Sequence, residues 1–327
     1  MAGTKSKRAA PGSKRRKKSR YIEYDYEESY KNSLKDWDEY FIEQQLKDGK
    51  VKSVYATKEV YAGDQLEIEI YPEFTKQQAA AAGIEPLNKK AQRAAQRKLN
   101  TKNSRKQFWR LAEHNFKNND YWLTFTYSEE PDSIEEAQKN IARYLRNVNG
   151  KRKRRGYANA KYLYVTETVS EDGQTVRAHH HLFISGDCLT MDELNAMWKY
   201  GKRNELRQVE KDENGIKGAA LYMVKEKADT KRKKYKKRWN GSANLEKPPE
   251  KKHHQTKQTT VNKMVKEPDY IRRYTESVAR YDGYIFSNAD IYFNDFNARY
   301  YIRVRMRKGT VEDGKEAAGS SRAIYGS

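Results

Sequence analysis

The chain has 327 residues, 36% of them hydrophobic and 34% charged, with a net charge of +22 at pH 7 and one cysteine, Cys188. That length carries one large domain or two modest ones, with much of the chain in contact with water. A single thiol excludes an internal disulfide and a Cys-rich zinc site, and without a long apolar run or a signal-peptide hydrophobic region no membrane span is expected.

The positive excess points to a polyanion, with nucleic acid first and an anionic membrane surface second. The 25 tyrosines and five tryptophans, mixed with Lys and Arg, suit stacking on unpaired bases. Most of those tyrosines are read more simply as strand and half-buried surface residues.

Residues 1–20 hold nine Lys or Arg and no acid, the composition of a disordered basic tail. Residues 21–118 read as an accessory region with DNA contact. Its acidic, Tyr-rich start has helical spacing to about residue 46. "VKSVYATKEVYAGDQLEIEIYP" alternates with period two around Gly63-Asp64, a β-hairpin. The Ala-, Lys- and Arg-rich stretch 76–116 is helical with one basic face.

Residues 119–230 form the compact centre. "YWLTFTYS" is a buried strand. Ser133 and Glu136 make a capping box for a helix with Ile134, Ala137, Ile141, Leu145 and Val148 as its apolar stripe, ended by Gly150. A basic loop follows, Lys151, Arg152, Lys153, Arg154 and Arg155. "KYLYVTET" and "VRAHHHLFIS" are antiparallel strands joined by a polar turn. Thr190 and Glu193 cap a helix with Met191, Leu194, Met197 and Trp198 inward. "RNELRQVE" is a short strand, and "GAALYMVKEKA" a helix from near Gly218.

Residues 231–258 read as a basic loop and linker, opening with Lys231, Arg232, Lys233, Lys234, Lys236, Lys237 and Arg238 around Tyr235. Residues 259–327 supply one helix (269–280), two strands, "ADIYF" and "YYIRVRMR", and a loose end.

The chemistry lies on the strand with three adjacent histidines. Strand alternation sends His179 and His181 to one face and His180 to the other. A His-x-His pair spaces two imidazoles for one divalent ion. Glu167, almost opposite His179 across the hairpin, is the candidate third ligand. Two imidazoles and a carboxylate suit Mn²⁺ or Mg²⁺ with positions open to phosphate oxygens. The competing reading is a solvated strand, or a hydrogen-bonded core histidine. Tyr222 and Lys225, three apart, share a helix face. A phenol beside an ammonium and a metal-polarised phosphate can attack phosphorus.

"WLTFTYS", "RAHHHLF" and "YMVKE", in that order, resemble the HUH endonuclease superfamily, and within it the single-Tyr rolling-circle replication initiator (Rep) proteins of bacterial plasmids, phages and integrative elements. The likeness covers about residues 120–230. It implies an α+β fold: a central antiparallel β-sheet with flanking helices, related to the RRM-like group, here with helical and hairpin additions. It implies a DNA endonuclease and strand transferase. Tyr222 attacks single-stranded DNA, leaving a 5′-phosphotyrosyl link and a 3′-OH that primes replication. Lys225 steadies charge at the phosphate or lowers the tyrosine pKa. His179, His181 and Glu167 hold the metal. The residue between the paired histidines is usually hydrophobic in that family, and here it is His180.

Single-stranded or hairpin origin DNA is the implied partner, held by the basic segments together with Arg177 and Trp239. The implied setting is the cytoplasm of a bacterial host. No GxxxxGK[ST] loop occurs, so a separate helicase and polymerase are implied. Other readings are a relaxase, a single-Tyr transposase, or an RRM-like binding protein without chemistry. A tyrosine placed after the histidine strand favours the initiator.

Overall fold

The computed structural model describes residues 54–73, 92–169, 174–225, 239–294 and 299–309. The basic tail, the acidic stretch, residues 74–91, residues 170–173, the run 226–238, residues 295–298 and the chain end from 310 lie outside them. The fold is α+β, with two antiparallel five-stranded sheets and six helices among the described residues.

The central sheet takes β3 (Tyr121–Thr126), β4 (Tyr162–Val169), β5 (Thr175–Ile184), β6 (Glu205–Gln208) and β7 (Asn240–Gly241), in the order β6-β3-β5-β4-β7. The histidine strand β5 is its middle strand. Alternation gives the sheet two apolar faces. Leu123, Phe125, Leu182 and Ile184 meet α2 (Ile134–Arg154) and α3 (Met191–Met197), with Trp198 stacked on Phe125 at 4.9 Å. Leu163, Val165 and Phe183 meet α1 (Gln92–Asn115) and α4 (Lys217–Met223) through Phe108, Phe116, Ala220 and Met223.

Thr190 and Glu193 form the full reciprocal cap of α3. At α2 half of the expected box is present: Ser133 Oγ accepts the Glu136 N–H, but the Glu136 carboxylate turns to Asp132 N–H. Nor does Gly150 end α2. The helix continues to Arg154, so residues 151–154 of the expected basic loop are helical and Arg155 is the C-cap. Arg152 is the reason. It is 3% exposed, its guanidinium holds both Asp187 carboxylate oxygens at 2.6 and 3.0 Å, and its Nε donates to Ala158 O. These bonds give the last turn a buried anchor that outweighs the weak helix propensity of one glycine.

The second sheet joins segments that the sequence presents as separate additions. It contains the hairpin β1 (Val54–Ala62) and β2 (Gln65–Glu73), then β8 (Glu250–His253), β9 (Tyr284–Asn294) and β10 (Arg299–Lys308), in the order β8-β1-β2-β10-β9. Gly63 takes φ 59° at the first position of the two-residue hairpin loop, where glycine has no Cβ to clash. The stretch expected as a linker contains β7 and β8, and a helix absent from the sequence reading, α5 (Gln258–Lys266), leads into α6 (Pro268–Ser277). These two helices bury Ile68, Ile70, Val304 and Met306 under Val261, Met264 and Ile271.

The opposite face of this sheet rests on α1 through ions. Glu67 meets Arg110, and Glu69 meets Lys106 at 2.5 Å, with Arg303 alongside both carboxylates. Neighbouring cations hold both acids charged against the penalty of burial, well below the ordinary carboxylate range. Helix α1 is therefore shared: its apolar side packs on the central sheet, and its charged side carries the second sheet.

Candidate active site

The antiparallel register pairs Glu167 with His179, and Val165 and Thr124 with His181. Alternation then puts Glu167, His179 and His181 on the face covered by α1 and α4. One ligand atom from each lies within 4.8 Å of the others, and no other such group occurs among the described residues. Glu167 Oε2 is 3.2 Å from His179 Nε2.

Backbone and hydroxyl groups orient both rings. His179 Nδ1 donates to Arg177 O at 2.9 Å, and His181 Nδ1 lies 3.0 Å from Thr124 Oγ1. Each bond engages Nδ1 and leaves Nε2 as the nitrogen that could ligate an ion, the kind of orientation an outer shell gives a metal site. The donor set of two imidazoles and a carboxylate fits a divalent ion with positions left open.

His180 faces the other way and is fully buried. Its Nε2 meets Tyr127 Oη at 2.8 Å and its Nδ1 meets Thr166 Oγ1 at 3.0 Å. Burial, with the two neighbouring histidines adding to it, pushes its pKa down to about 3. It is a neutral core histidine with both nitrogens satisfied.

Tyr222 stands on α4, half exposed, its ring 5.9 Å from the His181 ring and 6.3 Å from Trp122. Lys225 is not on the same helix, as its spacing suggested. Helix α4 stops at Met223, yet the chain curls so that Lys225 Nζ lies 4.2 Å from the centre of the Tyr222 ring.

A residue the sequence reading missed aims this helix. Glu113 of α1, 1% exposed, accepts the Ile216 N–H and the Lys211 ammonium, both at 2.7 Å. Burial still leaves its pKa raised. Gly215, φ 69°, passes so close that a Cβ there would lie 2.2 Å from Glu113 Oε2. No local pattern marks a glutamate on a polar helix as the anchor of a loop about 100 residues away.

The basic residues divide. Lys151 and Arg155 bond Glu193, and Arg152 is buried, while Lys153 and Arg154 face water. Arg177 is exposed and donates to Ser128 O. The Trp239 indole packs edge-on to Phe108 and donates to Ser104, which makes it part of the packing of α1. Lys231, Arg232, Lys233, Lys234, Lys236, Lys237 and Arg238 lie outside the described residues.

Residues 120–227 match a family model of replication-associated proteins of the ORF2 type. The match supports a replication-initiator role and, with it, interaction with DNA. Among solved structures, the chain is similar to the hypothetical protein ORF119 from Sulfolobus islandicus rod-shaped virus 1, at 18% identity and a TM-score of 0.26, covering 35% of this chain and 87% of that one. No curated protein matches the chain. No helix among the described residues is long and apolar enough to cross a membrane.

Proposed function

We propose that this replication-associated chain cuts and rejoins one strand of DNA, with Tyr222 as the nucleophile. The observation that carries the reading is the half-exposed Tyr222 ring set 5.9 Å from His181, a member of the Glu167, His179 and His181 group. A half-exposed tyrosine on a short helix has no packing reason to stand beside three convergent ligands.

Glu167, His179 and His181 would hold a divalent ion, Mn²⁺ or Mg²⁺, whose charge polarises a phosphoryl oxygen. Tyr222 Oη loses its proton and forms a bond to phosphorus. The bond from phosphorus to the 3′ oxygen breaks, and that oxygen takes up a proton. One phosphodiester replaces another, leaving a 5′-phosphotyrosyl link and a free 3′-OH, so the reverse reaction rejoins the strand. Lys225 places an ammonium beside the ring and favours negative charge developing on Oη. Glu113 fixes the start of α4 and so positions Tyr222 against the sheet.

The test uses single-stranded origin DNA labelled at its 3′ end, incubated with the full chain and Mn²⁺ and run on a denaturing gel. Label that migrates with the protein, needs the ion and is lost in Tyr222→Phe supports the reading. DNA retarded on a native gel with no adduct from any origin or random pool would leave a binding protein, with the histidines structural.

A further inference from the structure

We propose that a cleft at the seam between the two sheets, lined by Lys217 and Arg305, binds a phosphate of the same DNA strand that Tyr222 attacks; this rests on the nicking reading above. The cleft is bounded by Gln65, Leu66 and Glu67 of β2, Trp109 of α1, Asn214 and Lys217 beside α4, and Arg305 of β10. The cleft is partly enclosed and has room for about one water-sized atom. A single phosphoryl oxygen is of that size.

The charges around the cleft are out of balance. The cations are Lys106, Arg110, Arg303, Arg305 and Lys217. The carboxylates are Glu67, Glu69 and Asp290. Glu67 and Glu69 are taken by Arg110, Lys106 and Arg303, and Asp290 by Arg305 at 3.2 Å. Lys217 makes no ion pair with the described residues and lies 5.7 Å over the Trp109 ring. Arg305 keeps a second donor, since its buried Nε–H has no acceptor among them. The Lys217 ammonium, without an ion pair among the described residues, and the Arg305 guanidinium, with one donor beyond those that meet Asp290 and Asn288, line the same opening and form a site for an anion. Burial and the facing Arg305 push the Lys217 pKa down to about 8, the strain that a bound anion relieves.

Position favours DNA as the source of that phosphate. Lys217 and Tyr222 belong to the same seven-residue helix, and five residues of helix rise about 7.5 Å. Five residues also turn about 140° around the axis, so the strand that meets Tyr222 reaches the seam by passing around α4.

Lys217→Gln tests this in the full chain carrying Tyr222→Phe, so that binding stays non-covalent. Anisotropy of a labelled single-stranded oligonucleotide is titrated at several salt concentrations. Loss of one phosphate contact should weaken binding about fivefold and lower the log–log salt slope by about 0.7. Lys217→Arg should restore both, and Lys266→Gln, on the far face of the second sheet, should change neither. An unchanged slope in Lys217→Gln overturns the assignment even if the wild-type chain forms its adduct. A reduced slope without any adduct from the wild-type chain would keep the cleft and remove the nickase. Inorganic phosphate provides the second arm. A thermal shift lost in Lys217→Gln together with the reduced slope supports the site; a shift with an unchanged slope marks a free-phosphate site and overturns the DNA assignment.

Discussion

Lys225 Nζ lies 4.2 Å from the centre of the Tyr222 ring, although the helix carrying the tyrosine ends at Met223. The contact is made by the turn after the helix, where the Lys225 N–H reaches Tyr222 O at 3.4 Å. If this ammonium stabilises negative charge on the phenolic oxygen, Lys225→Met should slow adduct formation by about 100-fold, as for loss of one stabilising donor. Lys225→Arg should recover part of the rate. Equal rates in single-turnover gels for Lys225→Met and wild type would remove the lysine from the reaction.

His179, His181 and Glu167 should act together on metal binding. Alanine at any of the three is expected to abolish Mn²⁺ binding measured by calorimetry, and chelation of the ion should stop adduct formation in the intact chain. Full Mn²⁺ affinity in Glu167→Ala would show that the carboxylate is a neighbour of the histidines and not a ligand.

Thr124 holds His181 through Nδ1 at 3.0 Å. Thr124→Val keeps the shape and deletes the hydroxyl. Metal affinity should fall about tenfold, the lower end for losing an outer-shell partner, with little change in melting temperature. A lowered melting temperature with unchanged metal affinity would make Thr124 a strand residue only.

His180 predicts a pH-dependent stability. Its pKa is about 3 in the folded chain against an ordinary 6.5, because burial disfavours the charged ring. Between those values the unfolded chain holds a proton that the folded chain does not. Stability therefore falls as pH drops below about 6.5, by up to about 1.4 kcal/mol per pH unit, and is fully present above it. Urea titrations from pH 4 to 7 should show a shallower slope in His180→Gln. An identical slope would assign the acid sensitivity to other groups.

Arg110 is fully buried and joins α1 to Glu67 and Glu69 of the second sheet. Arg110→Met should destabilise the chain by about 3–5 kcal/mol, because it leaves two buried carboxylates short of a partner. Glu67→Gln combined with Arg110→Met should recover part of that loss. Chemical denaturation of the wild type, Arg110→Met, Glu67→Gln and the double variant measures both effects, and strictly additive losses would rule out the coupling.

Much of the site is legible in the chain because it is local. A period of two assigns His179 and His181 to one face and His180 to the other, and a short hairpin sets Glu167 opposite His179. Both follow from the pleat of a strand and the length of a turn, which need no distant contact. The same holds for β3, α3 and the β1–β2 hairpin.

What escaped local patterns depends on partners far away in sequence. The hairpin at residues 54–73 finds its sheet with strands at 250–253 and 284–308. Helix α2 runs past Gly150 because Asp187 receives Arg152, and α4 is aimed by Glu113. Residue types and periodicity specify faces, caps and turns, where each residue's own geometry decides the outcome. Which faces meet, and which buried charge finds its counter-charge, is decided when the chain compacts, because the free energy of burial and ion pairing depends on neighbours that only the folded chain brings together.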